Sequence, residues 1–193
     1  MASAAPDVAE AQRFVLDGVA RVSGILRAHG ESRQRIAEKL RAELRHGFDV
    51  PAIANFALGP ARAKLTPEQK RQYVAEFEEL IVQTYTSRVM HYGPRVTADI
   101  NDIIRFTGHT PINDEQVMLH SRVNRKGADW VGIDWRVRSG KERYAIVDIT
   151  ILGISQAMLY KSEIGAVLQH NGRGADGLVD ALRKKNAEIR NGR

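Results

Sequence analysis

Apolar residues recur at helical spacing through the first half of the chain, alternate through much of the second, and return to helical spacing at the end. Ala11, Val15, Val19, Val22 and Leu26 predict an amphipathic helix from about Asp7 to Ala28, closed by Gly30. Ile36, Leu40 and Leu44 lie four apart and predict a second helix from about Ser32 to His46. Asp49 is a suitable cap for a short third helix that ends at Leu58-Gly59-Pro60. Thr66-Pro-Glu-Gln69 has the form of a capping box with proline at the first helical position. The helix it opens is predicted to reach about His91, before Gly93-Pro94, and its stripe of Tyr73, Phe77, Leu80, Ile81, Tyr85 and Val89 is the most aromatic in the chain.

From Val96 the period changes to two. Val96, Ala98, Ile100, Ile104 and Phe106 predict a strand, followed by a loop over Gly108–Asp114 and a second strand carrying Val117, Leu119, Ser121 and Val123. Asn124–Gly127 reads as the turn into a hairpin whose turn is Ser139-Gly140-Lys141. In that hairpin the odd positions carry the apolar face: Val131, Ile133, Trp135 and Val137, then Ala145, Val147, Ile149 and Ile151. Four antiparallel strands with one apolar face predict a curved meander, and Ser155 is placed to cap a helix reaching about Gln169. A last helix carries Leu178, Leu182 and Ile189. The pattern is α+β: a curved antiparallel sheet of about four strands covered by helices. We read residues 1–193 as a single domain with frayed ends at 1–6 and 189–193.

A hydrophobic content of 43% with charges of both signs is that of a folded chain with a real core. The net charge of +6 suits an anionic membrane or acidic partner. Lys and Arg are spread along the chain and the strands lack paired exposed aromatics, so the pattern is not that of a nucleic-acid-binding sheet. With no cysteine, disulfides, thiol catalysis and zinc–thiolate sites are excluded. No run approaches the ~20 apolar residues of a membrane span. The small residues Met1-Ala-Ser-Ala-Ala-Pro6 resemble the start of a mature chain after signal-peptide removal, and equally an ordinary N-terminus.

Chemistry-bearing motifs are sparse. Histidines 29, 46, 91, 109, 120 and 170 show neither HxH nor HExxH spacing, so no metal site is expected. Asp134 and Asp148 are placed to face each other across the hairpin, but with arginines 122, 136, 138 and 143 nearby they read as ionised and salt-bridged. No nucleophile elbow, P-loop or dinucleotide fingerprint is present, so no catalytic residue and no cofactor are expected. On the sheet's apolar face the alternation leaves only Ser121 as a polar group. What remains is apolar surface, which either closes on itself or leaves a pocket.

Three segments together resemble the MlaC family, the toluene-tolerance auxiliary proteins of a bacterial phospholipid ABC transport system. They are Phe56-Ala-Leu-Gly59 with Leu65-Thr-Pro-Glu-Gln69, Phe77 and Tyr85; then Tyr144-Ala-Ile-Val-Asp-Ile-Thr-Ile-Leu-Gly-Ile-Ser155; and Tyr160-Lys161 with Gly177-Leu-Val, Leu182 and Lys184-Lys185. The resemblance spans about residues 8 to 188. It departs from the common pattern at Ala61, where many members carry tryptophan, and over Lys161-Ser-Glu-Ile-Gly165. The related hopanoid-associated HpnM branch shares much of the pattern.

The resemblance implies a cystatin-like or nuclear-transport-factor-like sheet with a helical lobe and a deep apolar pocket between them. It implies a periplasmic carrier that takes a phospholipid between an inner-membrane ABC transporter complex and an outer-membrane lipoprotein complex, with the lipid as cargo. A hopanoid or isoprenoid carrier and a non-catalytic interaction module remain the alternatives. On this reading the pocket is lined by Phe56, Phe77, Leu80, Ile81 and Tyr85 from the helices. The sheet contributes Ile104, Val117, Leu119, Val131, Ile133, Trp135, Val147, Ile149 and Ile151. Arg88, Arg95 and Lys161 are the basic residues expected near its mouth.

Overall fold

The computed structural model describes residues 6–27, 30–92, 103–124, 130–140, 143–170 and 172–191, without the side chains of 26 and 88–92. The expected segments at 1–5, 93–102 and 125–129 lie outside the described residues. Among the described residues, four α-helices and a short 3-10 helix come first: α1 (Val8–Arg27), α2 (Arg33–Gly47), α3 (Val50–Leu58), the 3-10 helix (Gly59–Lys64) and α4 (Pro67–Tyr92). Strands β1 (Ile104–Asn113), β2 (Gln116–Asn124), β3 (Trp130–Ser139), β4 (Tyr144–Ile151) and β5 (Ile154–Ser155) follow, and α5 (Gln156–His170) and α6 (Gly174–Arg190) close the chain.

The helix starts lie where their caps require. Ser32 Oγ accepts the Arg35 N–H at 3.3 Å and Asp49 Oδ1 accepts that of Ala52 at 3.0 Å. At α4 the box is reciprocal: Thr66 Oγ1 takes the Gln69 N–H at 3.2 Å and Gln69 Oε1 takes the Thr66 N–H at 2.9 Å. Gly59, at φ +56, ends α3 in a conformation that a side chain would resist.

The sheet is an open antiparallel meander in the order β1-β2-β3-β4-β5. Two features depart from the alternation. Residues Gly108 to Asn113, expected as a loop, continue β1, because pairing with β2 from His120 to Gln116 satisfies their backbone through two register irregularities. In β4 a bulge stands at Val147: Arg136 pairs with Asp148, but Val137 pairs with Ile146. The extra residue turns Ile146, not Val147, onto the same face as Ile149. Leu152 and Gly153, at φ +52 and +80, make the two-residue turn into β5.

Among the described residues two apolar cores result. Helix α1 lays Ala11 and Val15 on the sheet face formed by Val117, Leu119, Trp135, Val137 and Ile146. Tyr144 latches its start, accepting the Asp7 N–H at 3.2 Å and donating to Glu10 at 3.1 Å. The other core joins α3, α4, α5 and α6 around Tyr73, Phe77 and Leu178.

Charges tie α2, α4 and α6 together outside that core. Arg41 meets Glu78 at 3.2 Å and Glu79 at 2.5 Å, and Arg190 meets Glu79 at 3.2 Å. Burial pushes the Glu79 carboxyl up, but hydrogen bonds from Arg41 and Gln83 and the charges of Arg41 and Arg190 together outweigh it, so the net shift is downward. A carboxylate lowered in the folded state stabilises above the unfolded-chain carboxylate range, and that contribution disappears as pH falls through the folded value. The melting temperature should therefore drop on acidification below about pH 4. Glu79→Gln should lower it at neutral pH and flatten that acid-side slope; an unchanged slope would remove Glu79 from the account.

Candidate functional site

Where the two cores meet, they do not close. A cavity of about 300 Å³ lies between the sheet face and the helices. Helix α1 contributes Phe14, Val15 and Val19, and α2 contributes Leu40 and Leu44. Ile53, Ile81, Val82 and Tyr85 come from α3 and α4, Trp135, Ile146 and Ile149 from the sheet, and Ala157 and Tyr160 from α5. Phe48, whose residue bridges to Ile146 at the edge of β4, contributes from the α2–α3 connection.

Four of the expected pocket residues come together here: Ile81, Tyr85, Trp135 and Ile149. Phe77 and Leu80, on the same stripe of α4, sit in the helical core. Ile104, Val117 and Leu119 are buried beneath α1, with Ile133 packed against them. Val131, Val147 and Ile151 are half-buried and outside the lining. Phe56 is 44% exposed, and its ring lies 4.9 Å from the Lys161 ammonium. The side chain of Arg88 and all of Arg95 lie outside the described residues.

Alternation did not reveal three groups on the wall. Ile146 follows from the bulge. The wall contributed by α1 and α2 was visible as apolar stripes, but nothing in those stripes said what they would face. The third group is ionisable: Arg21, Glu43 and Asp148 all border the cavity. Ser121, the polar residue expected on the sheet face, is buried and fully engaged, donating to the Ile133 carbonyl at 2.7 Å and accepting the Trp135 indole N–H at 3.0 Å.

The two hairpin aspartates do not face each other. Asp134 stands opposite Thr150 and meets His120 Nδ1 at 3.0 Å, while Asp148 stands opposite Arg136. Asp148 is occupied at both oxygens: Oδ2 accepts from Ser155 Oγ at 2.6 Å and Oδ1 from the Ala157 N–H at 3.0 Å. Ser155 Oγ in turn accepts the Met158 N–H at 3.1 Å. The Asp148–Ser155 pair thus caps α5 and fixes the helix that brings Ala157 and Tyr160 to the cavity. Asp148→Ala should cost about 2 kcal/mol, the loss of two charge-assisted hydrogen bonds at a helix start, read as a lower midpoint in urea unfolding. A midpoint unchanged from the parent would assign Asp148 a role other than capping.

A second hollow, of about 670 Å³, lies on the far side of Phe48 and mixes charged with apolar side chains. Its charges are mutually satisfied: Arg138 pairs with Asp49, Arg45 with Glu78 at 2.8 Å, and Arg143 donates to the carbonyls of Arg45 and His46. Among the described residues no group of three or more His, Asp or Glu is arranged for a metal ion, and no helix is long and apolar enough to cross a membrane.

The architecture has relatives. The family model for the MlaC protein matches residues 17–184, most of the chain. The chain belongs to the MlaC family. No protein of curated function matches this MlaC-family chain. Among solved structures, a phospholipid-binding protein from Ralstonia solanacearum, determined in complex with a phospholipid, superposes with a TM-score of 0.80 at 24% identity, covering 94% of this chain and 99% of that one. The shared fold is the open antiparallel sheet with its helical cover. The family segment from Tyr144 to Ser155 can now be read physically: Tyr144 latches α1, Ile149 faces the cavity, and Asp148 with Ser155 caps α5.

Proposed function

We propose that this chain is a lipid carrier that encloses the tails of a phospholipid in the cavity between α1, α2, α4, α5 and the sheet. The observation that carries the reading is the void itself: a folded core ordinarily closes to crystal-like density, yet here the side chains from seven elements stop short of one another. An apolar cavity of that size suits an acyl chain. Each buried methylene contributes ~0.8 kcal/mol, so a sixteen-carbon tail gives on the order of 12 kcal/mol before ordering costs. Affinity of that origin needs no catalytic residue and no cofactor. The relative from Ralstonia solanacearum, which binds a phospholipid on the same fold, supports the same cargo.

In this reading Ile81, Tyr85, Trp135 and Ile149 touch the lipid. Phe77, Leu80 and the deep sheet residues Ile104, Val117 and Leu119 support the wall from behind. The chain works in the periplasm, passing its lipid between an inner-membrane transporter complex and an outer-membrane lipoprotein complex, as family membership suggests. The test is native mass spectrometry of protein purified without detergent, followed by extraction of the bound lipid. A phospholipid adduct is the expected result. A hopanoid or other isoprenoid in its place would change the cargo class, and a bare mass that stays bare after incubation with phospholipid vesicles would overturn the carrier reading.

A further inference from the structure

The cavity wall is apolar except at a few points, and one of these is a charged pair with capacity to spare. Arg21 of α1 donates from Nε to Glu43 Oε2 of α2 at 2.6 Å, and their side chains are 38% and 22% exposed. Both border the cavity and both reach solvent, which places the pair on its rim. A guanidinium has five N–H groups and a carboxylate has room for several donors. This pair uses one of each: the Nη groups of Arg21 and Oε1 of Glu43 take no other partner among the described residues. Gly18, one turn earlier in α1, leaves the guanidinium uncovered on that side, with Nη2 3.8 Å from where a Cβ would stand. The other ionisable wall group, Asp148, is held in the cap of α5 through both its oxygens.

Resting on the carrier reading above, we infer that the Arg21–Glu43 pair reads the lipid's head group and selects a zwitterion, a phosphodiester that carries a primary ammonium. A phosphate set against the Nη groups gains charge-assisted hydrogen bonds. The ammonium a few atoms further along the same head group falls to Glu43 Oε1. A head group with phosphate but no cation meets the same arginine and is repelled by the glutamate beside it. Discrimination therefore comes from the repulsive member of the pair as much as from the attractive one.

The experiment offers the full chain vesicles holding phosphatidylethanolamine, phosphatidylglycerol and diacylglycerol with identical tails, and reads captured lipid by native mass spectrometry. The parent protein should favour phosphatidylethanolamine over phosphatidylglycerol about tenfold, the scale of one charged hydrogen bond. Glu43→Gln should bring that ratio close to one by admitting phosphatidylglycerol. Arg21→Gln should reduce both phospholipids several-fold against diacylglycerol, and Arg21→Lys should restore part of the loss. Diacylglycerol capture, which depends on the tails, should be the same in all four proteins. A parent without preference, or a ratio unmoved by Glu43→Gln, would overturn the head-group assignment while leaving the carrier intact. A parent that captures none of the three lipids would overturn the carrier reading itself.

Discussion

Gly47→Leu should weaken lipid binding on the order of a hundredfold while leaving the fold at least as stable as before. Gly47 is the last residue of α2, buried and on the cavity wall, and a Cβ built there meets no heavy atom within 4 Å. Its φ is not in the left-handed region, so an L side chain fits the backbone and must project into the void. Replacing a helical glycine removes a penalty of roughly 0.5–1 kcal/mol. Four added carbons would fill part of a space of about 300 Å³ and deny it to the tail. Displacing as many methylenes from the wall loses ~3 kcal/mol, on the order of a hundredfold in affinity. Native mass spectrometry should show a much larger bare fraction than the parent at the same lipid concentration. Its melting temperature should equal or exceed that of delipidated parent, the proper reference because bound lipid itself stabilises the folded state. A variant that keeps its lipid as fully as the parent would place the tails somewhere other than this cavity.

That the decisive position is a glycine at a helix end explains why the site was only partly legible in the sequence. The elements were readable because their signals are local. Ser32, Asp49 and Thr66 cap the helices they precede, and Ser155 does the same for α5. The sheet was readable because apolar residues alternate over long stretches. The exceptions arise where a partner overrides the local signal. Pairing with β2 makes strand of Gly108 to Asn113 despite their turn-like composition, and the bulge at Val147 exchanges Ile146 for Val147 on the cavity face.

The boundary between cavity and core is harder still, because it is not a property of any one element. Phe77, Leu80, Ile81 and Tyr85 share a stripe of α4 and one hydrophobic character. Phe77 and Leu80 are covered by the helical core, whereas Ile81 and Tyr85 also look into the gap left by α1 and the sheet. Periodicity tells which residues turn inward, but not whether the opposite wall arrives. Arg21 and Glu43 were hidden for the converse reason: on an isolated amphipathic helix each reads as an ordinary solvated charge, and only the crossing of α1 and α2 brings them together at 2.6 Å.

Phe77→Ala tests that boundary from the other side, and its expected effect is on stability. The ring is fully buried, with its centroid 5.8 Å from that of Tyr73 and 5.1 Å from that of Tyr160 in an edge-on contact. Truncating such a residue removes the burial of the ring, the aromatic contacts and the packing around them, at a cost of about 4 kcal/mol. A domain holds only ~5–15 kcal/mol in total, so the variant should melt roughly 10 °C lower, at about 2–4 °C for each kcal/mol in a chain of this length. Because Phe77 stands behind the wall and not on it, the folded fraction at low temperature should still carry lipid. The pair of variants then separates two quantities that a binding assay alone would confuse: Gly47→Leu weakens cargo binding and spares the fold, and Phe77→Ala weakens the fold and spares cargo. If Phe77→Ala instead emerges bare at a temperature where circular dichroism reports full native helix content, the lipid reaches one layer deeper than the lining described here. Tyr160, which touches Phe77 and borders the cavity, would then be the side chain that yields to admit it.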